Sequence, residues 1–190
     1  RAWIDGIENQ TTFNFAAGQG ALSIADGGSV YFWGYQDTDG NPGAAALPQY
    51  PGPTLILNQG DEVTINLTSN LPPGKCTSML FPGHQATASG GVAGILTRES
   101  CGAADIVTYT FKAAQPGTYM YHSGTDPGLQ VEMGLAGAII VRPNLGPDHA
   151  YNHADTYFDH EVMFLLTSID PLIHQLAEQN RFDEIDLTTR

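Results

Sequence analysis

The chemically capable side chains of this chain are six histidines, two cysteines and a set of clustered acids. His149, His153 and His160 fall in a polar stretch that also holds Asp148, Asp155, Asp159 and Glu161. Imidazoles mixed with carboxylates suit zinc or copper, and the alternative reading is a solvated acidic loop. His149 and His153, spaced i to i+4, share a face only in a helix, and Pro147 and Asn152 argue against one. Asp37, Asp39 and Asn41 resemble the first half of a calcium loop, but the closing acidic ligand is missing, which favours a plain turn. His122 and Ser123 are adjacent, so on a strand they point to opposite faces and cannot serve as base and nucleophile. No Gly-x-Ser-x-Gly elbow or phosphate-binding glycine loop occurs. His174, beside Ile173 in a stretch that suits a helix, reads as a packed or capping residue. Asn9-Gln10-Thr11 and Asn66-Leu67-Thr68 are glycosylation sequons that matter only in a glycosylating host, and the second lies in an expected strand.

The elements that must position these groups are mostly strands. Twenty-two Gly and twelve Pro punctuate the 190 residues, the rhythm of an all-β sandwich. Strands are expected over Thr12 to Ala17, Ala21 to Ile24, Val30 to Tyr35 and Ile106 to Ala113. Residues 50–67 read as strand, tight Gly60-Asp61 turn, strand, with Val63, Ile65 and Leu67 on one face and Thr64, Asn66 and Thr68 on the other. After Pro143 the pattern changes to a polar stretch, an apolar strand over Glu161 to Ser168, and a short helix over Pro171 to Gln179 with Asp170 as N-cap. Seven basic against twenty acidic residues give a formal charge of −13, which excludes phosphate backbones and anionic membranes as attractive partners. Cys76 and Cys101 sit in turn-rich segments just outside apolar runs, a setting for a disulfide between loops at one end of a sandwich, and such a bond points to the periplasm or exterior. No apolar run is long enough to span a bilayer, so the chain reads as a mature secreted, extracellular or periplasmic protein without a membrane span.

Two segments carry a more specific signal. Pro51-Gly52-Pro53-Thr54-Leu55 with Gly60-Asp61, and Gly117-Thr118-Tyr119-Met120-Tyr121-His122-Ser123-Gly124 with Gly134 to Val141, together resemble the N-terminal domain of multicopper oxidases. They are also similar to the first domain of copper nitrite reductases. The resemblance spans residues 50–143 and implies a cupredoxin-like Greek-key β-sandwich over residues 1–143. Residues 144–190 then form a polar linker, strand and short helix leading toward a further or partner domain.

The resemblance also implies copper, but most ligand positions have changed. Laid on His-Trp-His-Gly, the stretch Thr77 to Gly83 puts Leu80 and Pro82 at ligand positions. Gly124 stands in place of a second imidazole, and Ser123, Gln130 and Leu135 stand where blue copper needs Cys, His and Met. None of these can replace an imidazole or a thiolate. A nitrite-reductase-like alignment instead places His84 and His122 on the histidines of a type 2 copper, and these two are the candidate metal ligands. The implied function is a scaffold for copper-dependent redox chemistry located in another domain or subunit. Its partner would be another cupredoxin domain or a homo-oligomer. The alternative is a non-catalytic extracellular assembly module. Whether this chain is itself an enzyme stays open at this point.

Overall fold

The computed structural model describes residues 4–25, 27–41 and 47–188. Its strands are β1 (Thr12–Ser23), β2 (Ser29–Asp37), β3 (Leu55–Asn58), β4 (Glu62–Ser69), β5 (Thr87–Gly90), β6 (Val92–Ala93), β7 (Arg98–Glu99), β8 (Val107–Lys112), β9 (Gly117–His122) and β10 (Ala136–Arg142). One sheet runs β2-β1-β4-β8-β5, the other β3-β10-β9, and β6-β7 form a small ribbon. Both sheets contain a parallel pair of strands distant in sequence, β1 with β4 and β3 with β10.

Strand β4 follows its period of two: Val63, Ile65 and Leu67 are at most 1% exposed, while Thr64, Asn66 and Thr68 lie half-buried on the other face. On that face Asn66 donates to Asn14 at 2.8 Å and accepts from Thr108 at 2.8 Å, so the second sequon's amide is tied into three strands. The two runs expected at residues 12–17 and 21–24 are a single strand. Gly18 and Gly20 pair with Gly34 and Phe32 across the ladder, and at Gly20 a Cβ would lie 2.6 Å from the Phe32 ring. Cys76 and Cys101 are joined in a disulfide, and Thr77 bridges Ser100 beside it.

Between β9 and β10 lies a helix that the pattern did not announce, α1 (Pro127–Met133). Pro127 opens it, Gly134 closes it at φ 116°, and Leu129 and Met133 enter the core. The second helix, α2 (Pro171–Glu178), matches expectation: Asp170 accepts from the Leu172 N–H at 2.9 Å, and Ile173 and Ala177 join the core. His174 is 1% exposed, and its ring nitrogens meet the carbonyls of Tyr31 and Glu132, the packed role expected of it.

The strand expected over Glu161 to Ser168 is not a strand. The segment pairs with no neighbour, and among the described residues no backbone–backbone hydrogen bond joins residues 159–169 to another strand. It crosses the outer face of β9 and β10 as a strap. Met163 and Leu165 are turned partly inward, and Val162, Phe164 and Leu166 are 72%, 82% and 88% exposed. The alternation that predicted a strand is therefore present without a ladder partner. The strap is held by a two-point pair of Arg142 with Glu161 and by Tyr50 to Thr167 at 3.0 Å, and just beyond it the Asp170 N–H reaches Glu132 at 2.6 Å. Because the strap covers the outer face of β10, all seven residues of that strand are buried.

Candidate functional site

Ser123, Gln130 and Leu135 come together where the resemblance would place a blue copper, and they form a hydrogen-bonded knot. Gln130, on α1, is 2% exposed and accepts from Ser123 Oγ at 2.7 Å and from Thr77 Oγ1 at 2.9 Å. Its amide nitrogen donates to the Cys76 carbonyl at 2.8 Å. The Ser123 N–H reaches the Leu135 carbonyl at 2.9 Å, and the Leu135 N–H returns to Gln130 at 2.9 Å. Beside them, fully buried Tyr35 donates to the Ser78 carbonyl at 2.7 Å, and burial pushes its phenol well above the ordinary range, which keeps it a donor. Ser78 Oγ accepts from the Gly124 N–H at 3.2 Å and meets Thr125, which donates to Glu99 at 2.9 Å. Hydroxyls and an amide thus satisfy one another in space that a metal ion and soft ligands would otherwise need.

The positions of a coupled copper cluster also converge, with one imidazole among them. Leu80 bridges His122 across an antiparallel pair, and Gly124 lies against Leu80 so closely that a Cβ there would be 2.8 Å from Leu80 Cγ. The Leu80 side chain thus fills the space that a larger side chain at Gly124 would need. With Leu80, Pro82, Ser123, Gly124, Gln130 and Leu135 at the ligand positions, neither the blue copper nor the three-copper cluster of the resemblance fits the residues present.

His84 and His122 line separate cavities that share Pro82. His84, after the turn at Gly83, packs edge-on against Phe111 at 4.7 Å and Tyr119 at 4.5 Å, and its Nδ1 is buried without a hydrogen-bond partner. Tyr119 and His122 are an odd number of residues apart on β9, so they face opposite sides. Burial lowers the His84 pKa below its ordinary value. A depressed imidazole pKa contributes stability that is full above the unfolded value of about 6.5 and is lost as pH falls through the folded value. Thermal unfolding between pH 8 and pH 5 should therefore show a steeper acid loss for the wild type than for His84→Phe. Parallel curves would contradict this account.

The remaining candidates are absorbed by local structure. His149 bonds Asp148 at 2.9 Å, and His153 accepts from the Asp155 N–H at 3.2 Å, capping a 3-10 turn at Ala154–Thr156. Asp37 accepts from the Asn41 N–H at 2.8 Å and Asp39 from Asn14, so this stretch uses its carboxylates as a turn, with Pro42 and Gly43 outside the described residues. The only group of three or more His, Cys, Asp and Glu side chains that converges among the described residues is Cys76, Glu99 and Cys101, whose sulfurs are bonded to each other. Sequence reasoning missed Thr77, Ser78 and Tyr35 as members of the knot. Its one signal was the polar Thr77-Ser78 pair between Cys76 and the apolar Met79-Leu80-Phe81.

Comparison with known proteins agrees with the sandwich fold. A family profile described as multicopper oxidase matches residues 36–146. Multicopper oxidase MCE of Talaromyces pinophilus is 40% identical over 98 residues, covering 50% of this chain and 15% of that protein. A copper-containing nitrite reductase of Neisseria meningitidis is 30% identical over 126 residues, covering 66% of this chain and 28% of that protein. The chain thus spans less than a third of the length of either relative. Among solved structures, a multi-copper oxidase from Pseudomonas thermotolerans superimposes with a TM-score of 0.54 at 22% identity, over 68% of this chain and 29% of that one, which shows the shared cupredoxin-like fold. With the profile covering more than half of its residues, this chain belongs to the multicopper oxidase family.

Proposed function

We propose that this chain is a scaffold domain for copper-dependent redox chemistry carried by another cupredoxin domain or subunit, in a secreted or periplasmic protein. One observation supports it most: the strap presents Val162, Phe164 and Leu166, exposed and in register, along a backbone without ladder partners. An alternating apolar edge of this kind is built to be covered by a further strand or sheet. The hydrogen-bonded knot supports the same reading, because it keeps the sandwich rigid without a metal of its own. The disulfide suits an oxidising compartment, and no helix of the described residues is long and apolar enough to cross a membrane. The candidate ligands enter this reading one at a time, His122 and His84 each offering a donor that a docked domain would have to complete.

Purification of the native protein, with intact mass and copper content, tests the proposal. The expected result is a further domain or tightly held subunit that carries the copper, and its release by Phe164→Glu with Leu166→Glu while the melting temperature of this domain stays unchanged. A copper-free monomer of this length, indifferent to both substitutions, would overturn the proposal and favour a non-catalytic assembly module.

A further inference from the structure

We infer that the outer face of β9 carries a copper(I) site made by His122, Met120 and Met163. Its imidazole is one the resemblance already names, its two thioethers lie outside the family's ligand pattern, and it stands whether or not a second domain docks on the strap. Met120 and His122 are two residues apart on one face of β9, and their cross-strand partners on β10 are Ala138 and Ala136. Methyl-sized neighbours leave space beside both side chains. The strap closes that space with Met163, and the resulting cavity, about 680 Å³, is walled by Pro82, Pro127 and Val131.

The chain has four methionines. Met79 and Met133 lie in the core at 1% and 0% exposure, and the other two both line this cavity beside its histidine. Met120 is 41% exposed on the outer face of a strand, where packing alone gives little reason for a thioether.

The histidine is oriented as a ligand. Its Nδ1 lies 2.9 Å from the Ser123 carbonyl oxygen, which only accepts, so Nδ1 carries the proton and Nε2 keeps its lone pair. Nε2 has no hydrogen-bond partner among the described residues. A backbone carbonyl fixing the tautomer in this way is the usual support of a metal-bound imidazole.

Two thioethers and one imidazole are neutral and soft, which selects copper(I) over zinc or copper(II). No carboxylate lines the cavity, so nothing there compensates a second positive charge. The formal charge of −13 favours approach of a cation at long range. Binding needs no electron transfer, since the ion enters already reduced.

Anaerobic titration of the metal-free full chain with copper(I), in competition with a chromogenic chelator, is the test, with silver(I) as a redox-inert second probe. One ion per chain is expected, with sulfur and nitrogen in the X-ray absorption shell. Met120→Leu and Met163→Leu should each weaken binding by at least about tenfold, and His122→Phe should do the same. Met133→Leu, a core methionine, should leave it unchanged. Each leucine preserves volume, and unchanged melting curves would establish that the fold survives. Equal affinity in the Met120 and Met163 variants, or a shell without sulfur, would overturn the site. Neither result bears on docking through Phe164 and Leu166.

Discussion

Gln130→Leu should cost about 3 kcal/mol, from three lost hydrogen bonds and the buried groups left behind, and should lower the melting temperature by about 6–12 °C. Leucine fills nearly the same volume, so the effect isolates polarity from packing. It strands the Cys76 carbonyl inside the sandwich, while Ser123 Oγ can turn to the Thr125 carbonyl 3.2 Å away and the Thr77 hydroxyl to the neighbouring Tyr35 phenol. The same physics predicts a rescue. Adding Thr77→Val and Ser123→Ala to Gln130→Leu removes the two hydroxyls that bonded Gln130, so the triple variant should lose less than the sum of the single losses. Differential scanning calorimetry on the set decides it. A Gln130→Leu variant within about 0.5 kcal/mol of wild type would mean that the knot fills space and contributes little else.

Arg142→Ala is the second large expected loss, about 3 kcal/mol, the lower end for breaking a buried ion pair by removing one partner. Arg142 ends β10 and grips Glu161 at two points, with side chains only 10% and 14% exposed. Without the guanidinium, the Glu161 carboxylate stays desolvated unless the strap lifts. Lifting costs little because the strap has no ladder bonds to break. Limited proteolysis should therefore cut within residues 159–169 in Arg142→Ala and spare the wild type, and amide exchange on β10 should rise. Arg142→Met with Glu161→Gln removes both charges and should regain most of the loss. If the wild type is cut there as readily as Arg142→Ala, Arg142 does not hold the strap.

The strands whose two faces see different environments were legible in the sequence. In β4 and β8 one face is core and the other a polar outer surface, so Val63, Ile65, Leu67, Tyr109 and Phe111 announce themselves. The Asp170 cap before Pro171 was equally clear, because capping is local chemistry. Two features escaped for opposite reasons. The helix α1 is seven residues with Gly128 inside it, too short and too weak in propensity to stand out, and it exists because Leu129 and Met133 find the core. The strap has a strand's alternation, but pairing is a property of neighbours, and none lies at its edge. At the site, motif spacing already grouped Ser123, Gln130 and Leu135, which the fold brings together. The knot was not legible, because Tyr35 and Thr77 reach it from elements far from Gln130 in sequence.

The parallel pairing of β3 with β10 bears on how the chain reaches this fold. Beside a single bridge from Leu55 to Ile7, Leu55, Ile56 and Leu57 find their ladder at Ile139, Ile140 and Val141. A growing polypeptide emerging from a ribosome would therefore carry that apolar triplet without its β10 partners until Arg142 had been made. Closure of the second sheet is then a late event that joins distant segments, and refolding should fall in the range of about milliseconds to seconds typical of nonlocal β topologies. During that interval the β3 edge is the segment most exposed to mispairing, and a chaperone would have most reason to bind there.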